Sequence, residues 1–425
     1  MLAPQGARFG KDEHMRLNRR RSAVLVAVAA GALTISCAGP AETTEPAAAT
    51  SAPTQATTSW TATPSPSPTP SSTPDTATRP IPPAPIGPPP QVGTVEVILT
   101  HLEMPWGLAV LPDRSILITE RETANVLWYP GSGTEAVVVE GDGAAWLRTT
   151  TTPTNEGGLL GITYDPATVT AATADVFVFH TTATGNAVAR LALTGLDTGA
   201  PQLSGATTIL AGIPRGQHNY GGAIAFGPDG YLYVATGDAE EPDLAQIPSS
   251  LAGKILRITA DGNPAPGNPW GDTPQWAIGL RDVKGLSWSD DGVMYAADLG
   301  PGTWDELNIV TPGANFGWPT VEGISEDPRF VDPVFVWDPA EAAPSGVAVT
   351  NTAIYVATTR GERLWQVPLG NEDMRQMLVD EYGRLQAVVA EGDDTLWVLT
   401  GNLDGGTPAV DDDSLLLVEM RPITP

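Results

Sequence analysis

From Val92 to the C-terminus one pattern of apolar and polar positions recurs: a Gly or small residue, a short alternating apolar run, a turn often built on Asp-Gly, then a second apolar run. Copies lie at 107–113 with 116–118, at 158–165 with 176–179 after a looser turn, and most clearly at 223–230 with 231–235. Three more lie at 285–292 with 293–296, at 346–349 with 353–356, and at 387–394 with 395–399. Alternation at period two sends successive side chains to opposite faces, and a tight turn between two such runs makes an antiparallel hairpin. Six hairpins spaced roughly 40–65 residues apart match the period of a β-propeller. The pattern predicts an all-β protein, a six-bladed β-propeller of four-stranded antiparallel blades over residues 93–425. A pair of β-sandwiches would leave six similar hairpins unexplained. No stretch shows sustained helical periodicity with caps.

The chain ahead of this pattern is of another kind. Arg16, Arg19, Arg20 and Arg21 precede an apolar run from Ala23 to Ile35 that ends at Cys37. The run is shorter than the roughly 20 residues a membrane-spanning helix needs, and it has the length of a signal-peptide core. Its order of basic residues, apolar run, small residue and Cys resembles a bacterial lipobox. That resemblance implies residues 1–37 as a lipoprotein signal peptide lipidated at Cys37. Residues 38–92 are Thr, Ser, Pro and Ala with almost no apolar side chains. They read as a disordered stalk, because such a segment buries too little surface to order itself. The expected location is the extracytoplasmic face of the cell membrane, with contact through the lipid anchor only.

Composition narrows the function. The 425 residues carry 49 acidic and 22 basic side chains, a formal charge of −27. Six basic and two acidic residues belong to the signal region, so the exported part is more acidic still, at −31. That balance excludes a nucleic-acid binder, which needs a basic face against phosphates. A single Cys excludes an intramolecular disulfide framework and a Cys-based zinc site.

A propeller places its functional site at one mouth of the central channel, on loops between strands. Three His follow the signal region. His218 stands in the Gly-flanked segment 216–222 just before the clearest hairpin, where it suits a general base. A loop His bonded only to backbone is the plainer reading. His101 and His180 fall in strand-like runs and read as structural. Arg281, in 279–285, suits a bidentate grip on a carboxylate or a developing oxyanion, or a surface pair with Asp282. Turn carbonyls at Gly300 and Pro301, with the nearby carboxylates Asp305 and Glu306, are hard donors suited to calcium, or else an ordinary acidic turn. The loop carrying Glu156 precedes another hairpin in the same way.

These residues, in order, resemble the soluble quinoprotein glucose/sorbosone dehydrogenase family. The resemblance is carried by Pro105-Trp106-Gly107-Leu108, Thr119-Glu120-Arg121, the Glu156 loop, His218-Asn219 with Gly221-Gly222, and the 226–230 turn. It continues through 253–257, 279–285, Gly300-Pro301, 305–308 and 315–319. It implies a six-bladed propeller binding pyrroloquinoline quinone (PQQ) with calcium and oxidising an aldose or related alcohol. It further implies His218 as general base, with Arg281 beside the quinone carbonyls. Gly300 and Pro301 would supply calcium-binding carbonyls and Glu306 an acidic ligand of a structural calcium. Glu156 would contact substrate and cofactor, and Arg360 and Arg384 would grip cofactor carboxylates. Asp282 stands where the family usually has Asn, and Gln386 where a second Arg is common. An acid gained and a cation lost disfavour a trianion. The alternative is therefore a non-catalytic propeller lipoprotein that binds a glycan, cell-wall component or protein at the same mouth. Hydrolytic propellers would need several side chains converging on the ion, and no such set is evident. As an enzyme the protein would need an external electron acceptor, since the chain has no Cys-x-x-Cys-His haem motif.

Overall fold

The computed structural model describes residues 87–423 apart from 134, 371 and 372. The expected signal peptide, Cys37 and all but the end of the expected stalk lie outside the described residues. Within them the chain forms six four-stranded antiparallel sheets, the six-bladed propeller expected. The innermost strands are Pro105–Val110, Leu159–Tyr164, Gly221–Phe226, Val283–Trp288, Pro344–Val349 and Leu385–Ala390. Each touches the next, and the last touches the first, so they close a ring around a central channel. Five blades use four consecutive strands. The sixth takes its outermost strand, Gln91–Leu99, from the N-terminal end of the propeller, paired with Leu415–Arg421. That strand begins two residues ahead of the expected boundary at 93.

Period-two alternation explains why these strands stay together. Every blade has a neighbour on both faces, so both sets of alternate side chains are apolar. In Ile116–Glu120, Ile116 and Ile118 enter the seam with the sixth blade, while Leu117 enters the seam with the second. The buried residues form six clusters, one in each seam between adjacent blades. Each fully buried aliphatic side chain is worth about 1.5–3 kcal/mol over its exposed state.

Two expectations are corrected. A helix, Asp142–Thr150, links the first blade to the second and buries Ala144 and Leu147 in their seam. It has no side-chain N-cap, and Gly143 lies inside it, so the usual start signals are missing. His101 is not in a strand. It sits in a left-handed turn residue (φ 60°), exposed, with Nε2 3.7 Å from Asp411.

Candidate active site

Each innermost strand starts at the same mouth, and the loops joining second to third strands rise to it. The Asp-Gly turns that make the hairpins legible lie at the opposite end. At the site mouth, residues 216–220 lead into Gly221–Phe226. Gly221 has φ +64°, and a Cβ there would stand 2.6 Å from the Gly237 nitrogen. Only glycine fits, and its N–H donates to Asp282 Oδ1 at 2.8 Å.

That close approach presents His218 to the opening. Its Nδ1 lies 3.1 Å from Glu156 Oε1, reaching from the third blade to the second. Glu156 Oε2 accepts the Asn219 N–H at 3.3 Å, and Glu240 Oε2 accepts those of Gln217 and His218 at 2.6 and 3.3 Å. Buried Asp238 accepts from Asn219 Nδ2 at 2.8 Å and from Trp318 Nε1 at 2.9 Å, fixing the loop from beneath. His218 itself stays exposed on the mouth.

The residue that sequence reasoning missed is Lys284. Its Nζ lies 3.3 Å from Asp282 Oδ2 and 3.5 Å from Glu156 Oε2. Burial would raise the Glu156 carboxyl, but the Lys284 ammonium and His218 outweigh it and hold it below the usual carboxylate range. Burial opposes charge on Lys284 too, yet Asp282 and Glu156 lift its pKa above the ordinary lysine value. Asp282 is raised, chiefly by burial. The negative charge that Asp282 adds to the motif is met by a cation in this structure. Its side chain is 1% exposed, lies behind Lys284 and faces a compensating cation.

Glu156, His218 and Lys284 border a cavity of about 420 Å³ together with Arg360, Arg384 and Gln386. Arg121 and Asp404 complete its charged wall as a two-bonded pair, 2.8 and 3.1 Å, across the closing seam. Arg384 Nε donates to the Gly401 carbonyl at 3.2 Å and Arg360 Nη1 to that of Pro339 at 3.0 Å. Neither forms an ion pair among the described residues. Burial, with Arg360 nearby, holds Arg384 below the usual arginine value despite surrounding carboxylates. Gln386 donates to Ser345 Oγ at 3.0 Å and is buried.

Arg281 stands aside from this cavity. Its Nη1 donates at 2.7 Å to the carbonyl of Leu299, which does border it. Arg281 instead joins Gly300, Pro301 and Glu306 around a second cavity of only about 10 Å³, with Asp298 and Glu322. Asp305 does not line this cavity; it accepts the N–H groups of Gly300 at 2.9 Å and Ala343 at 2.7 Å. Glu306 accepts from Gly323 N at 2.7 Å and Asn308 Nδ2 at 3.0 Å, one bond to each oxygen. Among the described residues no three His, Cys, Asp or Glu side chains form a metal cage. The hard donors are therefore backbone carbonyls and the lone pairs left on single carboxylates.

Four cations around the larger cavity, two without carboxylate partners, suit a small polyanion. So does its volume, within the usual range of about 300–1,000 Å³ for ligand sites. In this wall Arg121 Nε is buried without a hydrogen-bond partner among the described residues. Fold and mouth together define a propeller whose cavity sets a His–carboxylate couple beside cations that lack carboxylate partners among the described residues. The chain belongs to the glucose/sorbosone dehydrogenase family, whose model matches residues 102–409. It resembles the PQQ-bound aldose sugar dehydrogenase of Streptomyces coelicolor, with 38% identity and a TM-score of 0.72 over 79% of this chain and 100% of that one. It is 26% identical to the aldose sugar dehydrogenase YliI of Escherichia coli over 352 residues, 74% of this chain and 92% of the relative. It is 25% identical to quinoprotein glucose dehydrogenase B of Acinetobacter calcoaceticus over 269 residues, 55% of this chain and 53% of that one.

Proposed function

We propose that the protein is a PQQ-dependent dehydrogenase that oxidises an aldose or related alcohol at the Glu156–His218 mouth. One observation carries this reading: a His held by a carboxylate shares a cavity with cations that have no carboxylate partners. The likeness to a PQQ-bound sugar dehydrogenase supports it.

A carboxylate only accepts, so the bridge to ionised Glu156 places the His218 proton on Nδ1 and leaves the Nε2 lone pair free. His218 then takes the proton of the substrate hydroxyl at Nε2 as hydride leaves the same carbon, and the C–O bond becomes a carbonyl. When bound, the quinone supplies the two-electron acceptor for that hydride. Arg360 and Arg384 would hold its carboxylates, with Gln386 beside them. Arg281 braces the Leu299 wall of the cavity. Gly300 and Pro301, with Glu306, would hold calcium. The two electrons pass to an external acceptor. Lipidation at Cys37 would keep the domain outside the cell membrane, and mass spectrometry of the mature N-terminus tests that part.

The reading is tested by titrating PQQ into the full chain with calcium present, following Trp fluorescence, then assaying sugars with a dye acceptor. Binding at about 1 µM or tighter, near 8 kcal/mol, with activity abolished in His218→Asn, is expected. Folded protein that binds nothing by about 100 µM overturns it and turns attention to glycan binding at the same mouth.

A further inference from the structure

We propose that Lys284 is a positioning residue of this mouth: it clamps the Glu156 carboxylate so that Glu156 holds His218 through Nδ1. The inference deepens the proton-acceptor role proposed above for His218 and rests on it. Three blades contribute. Asp282 is anchored to the third blade by the Gly221 N–H at 2.8 Å. Lys284 lies two residues on, on the same face of the fourth blade's innermost strand, and meets Asp282 Oδ2 at 3.3 Å. From there its Nζ reaches Glu156 Oε2, in the second blade, at 3.5 Å. The other Glu156 oxygen faces His218. Asp282–Lys284–Glu156–His218 is thus one continuous row of alternating charge, and Lys284 is its only fixed cation. The Lys284 side chain is 17% exposed, so its ion pairs are screened less than surface pairs.

The groups facing Glu156 show what removal of Lys284 would do. His218 lies on one side, and Asp282 stands behind Lys284. Glu240 holds the His218 loop, and Asp404 faces the mouth already neutralised by Arg121. Without Lys284, half-buried Glu156 and fully buried Asp282 are left with no cation between them, and each carboxyl is pushed toward its neutral form. A protonated Glu156 donates to Nδ1 instead of accepting from it, which moves the imidazole proton to Nε2. His218 then presents a donor to the substrate hydroxyl, and the base is lost.

The test uses the full chain carrying ¹⁵N-histidine, free of cofactor, with the His218 resonance assigned through His218→Asn. Wild type is expected as the Nδ1–H tautomer. Lys284→Met is expected to shift toward Nε2–H, and Lys284→Arg to restore the wild-type signal. Asp282→Asn/Lys284→Met buries no lone carboxylate at 282, so it guards against a variant that fails to fold. With PQQ and sugar present, Lys284→Met should move the acidic limb of the kcat profile to higher pH. On that limb kcat should fall about tenfold for each pH unit the limb moves. An unchanged tautomer in both Met variants overturns the role of Lys284, whatever the activity. A wild type that is itself Nε2–H overturns it equally. An inactive wild type whose tautomer still depends on Lys284 overturns the dehydrogenase reading and leaves the positioning role standing.

Discussion

Glu156 Oε1 and His218 Nδ1 meet at 3.1 Å across the boundary between the second and third blades. The contact joins two loops 62 residues apart in sequence; Glu240 anchors the His218 loop, and Thr181 Oγ1 accepts the Gly158 N–H of the Glu156 loop at 3.1 Å. Glu156→Gln removes the acceptor-only partner while keeping its shape. The amide can donate to or accept from the ring, so neither tautomer is enforced. A positioned base is worth about 10²–10⁴-fold, and kcat of Glu156→Gln is expected to fall by about the lower figure. Steady-state kinetics at saturating PQQ would check it, and an unchanged kcat would remove Glu156 from the proton path.

Among the described residues the side chains of Arg384 and Arg360 donate only to backbone carbonyls. Replacing either by Met therefore strands no buried carboxylate, and the melting temperature should hold. A charge-assisted bond is worth about 1.5–3 kcal/mol, so each variant should weaken PQQ binding by about 10–150-fold. Titration of the two variants beside wild type separates this from a folding defect. Equal affinities would show that the cofactor carboxylates are held elsewhere.

The blades were readable because 107–113 and its five counterparts alternate at period two around turns. Those turns mark the far end of the channel, away from the chemistry. Strand Gln91–Leu99 was not readable as part of the last blade, because its partner Leu415–Arg421 is more than 300 residues away. The short outer strands Val137–Val138 and Phe335–Trp337 hold too few residues to show a period. His218 and Glu156 stood out through their glycine-flanked loops. Lys284 did not, because 279–285 reads as one polar loop. Once Val283 is seen to begin a strand, residues 282 and 284 fall on one face, and the charge of Asp282 acquires its partner. The Arg121–Asp404 pair depends on closure of the ring, which no local pattern displays.

His180 provides a pH signature of folding. It is fully buried, Nδ1 3.2 Å from Thr151 Oγ1, with Nε2 unpartnered and Trp146 packed at 5.4 Å. Burial lowers its pKa from 6.5 to about 4, so the fold holds the neutral ring. Between those values the unfolded chain binds the proton more readily. The contribution is intact above pH 6.5 and declines as pH falls toward 4, by about 3 kcal/mol in all. Urea midpoints at pH 7 and 4.5 should diverge in wild type and converge in His180→Gln. Equal divergence in both would assign the acid loss to other groups.

Calcium should act on stability as well as on activity. Asp298 and Glu306 are register partners on adjacent strands, both buried beside the Gly300–Pro301 turn. A cation there would offset their mutual repulsion. At a concentration 100 times Kd it would stabilise the fold by about 2.7 kcal/mol. Melting curves with calcium and with chelator should differ, and Glu306→Gln should reduce the difference. Superimposable curves would argue against a calcium site at this turn.

The closing seam offers the sharpest test of the architecture. Gln91–Leu99 pairs with Leu415–Arg421 from Gln91↔Arg421 to Leu99↔Leu415. Leu99 and Leu102 enter the cluster that joins the sixth blade to the first, beside Leu399 and Leu415. The strand thus covers the edge of the sixth blade and helps seal the ring. Removing residues through 99 would expose that edge and leave a cavity at Leu99. Leu99→Ala alone should cost about 2–5 kcal/mol, the usual range for a buried Leu. The truncated chain should lose more, because every ladder hydrogen bond to Leu415–Arg421 is lost at once and an open edge recruits other chains. Denaturant unfolding and light scattering of both variants would report this. A truncated chain as stable and monomeric as the intact one would mean that five complete blades and a three-stranded sixth hold the ring unaided.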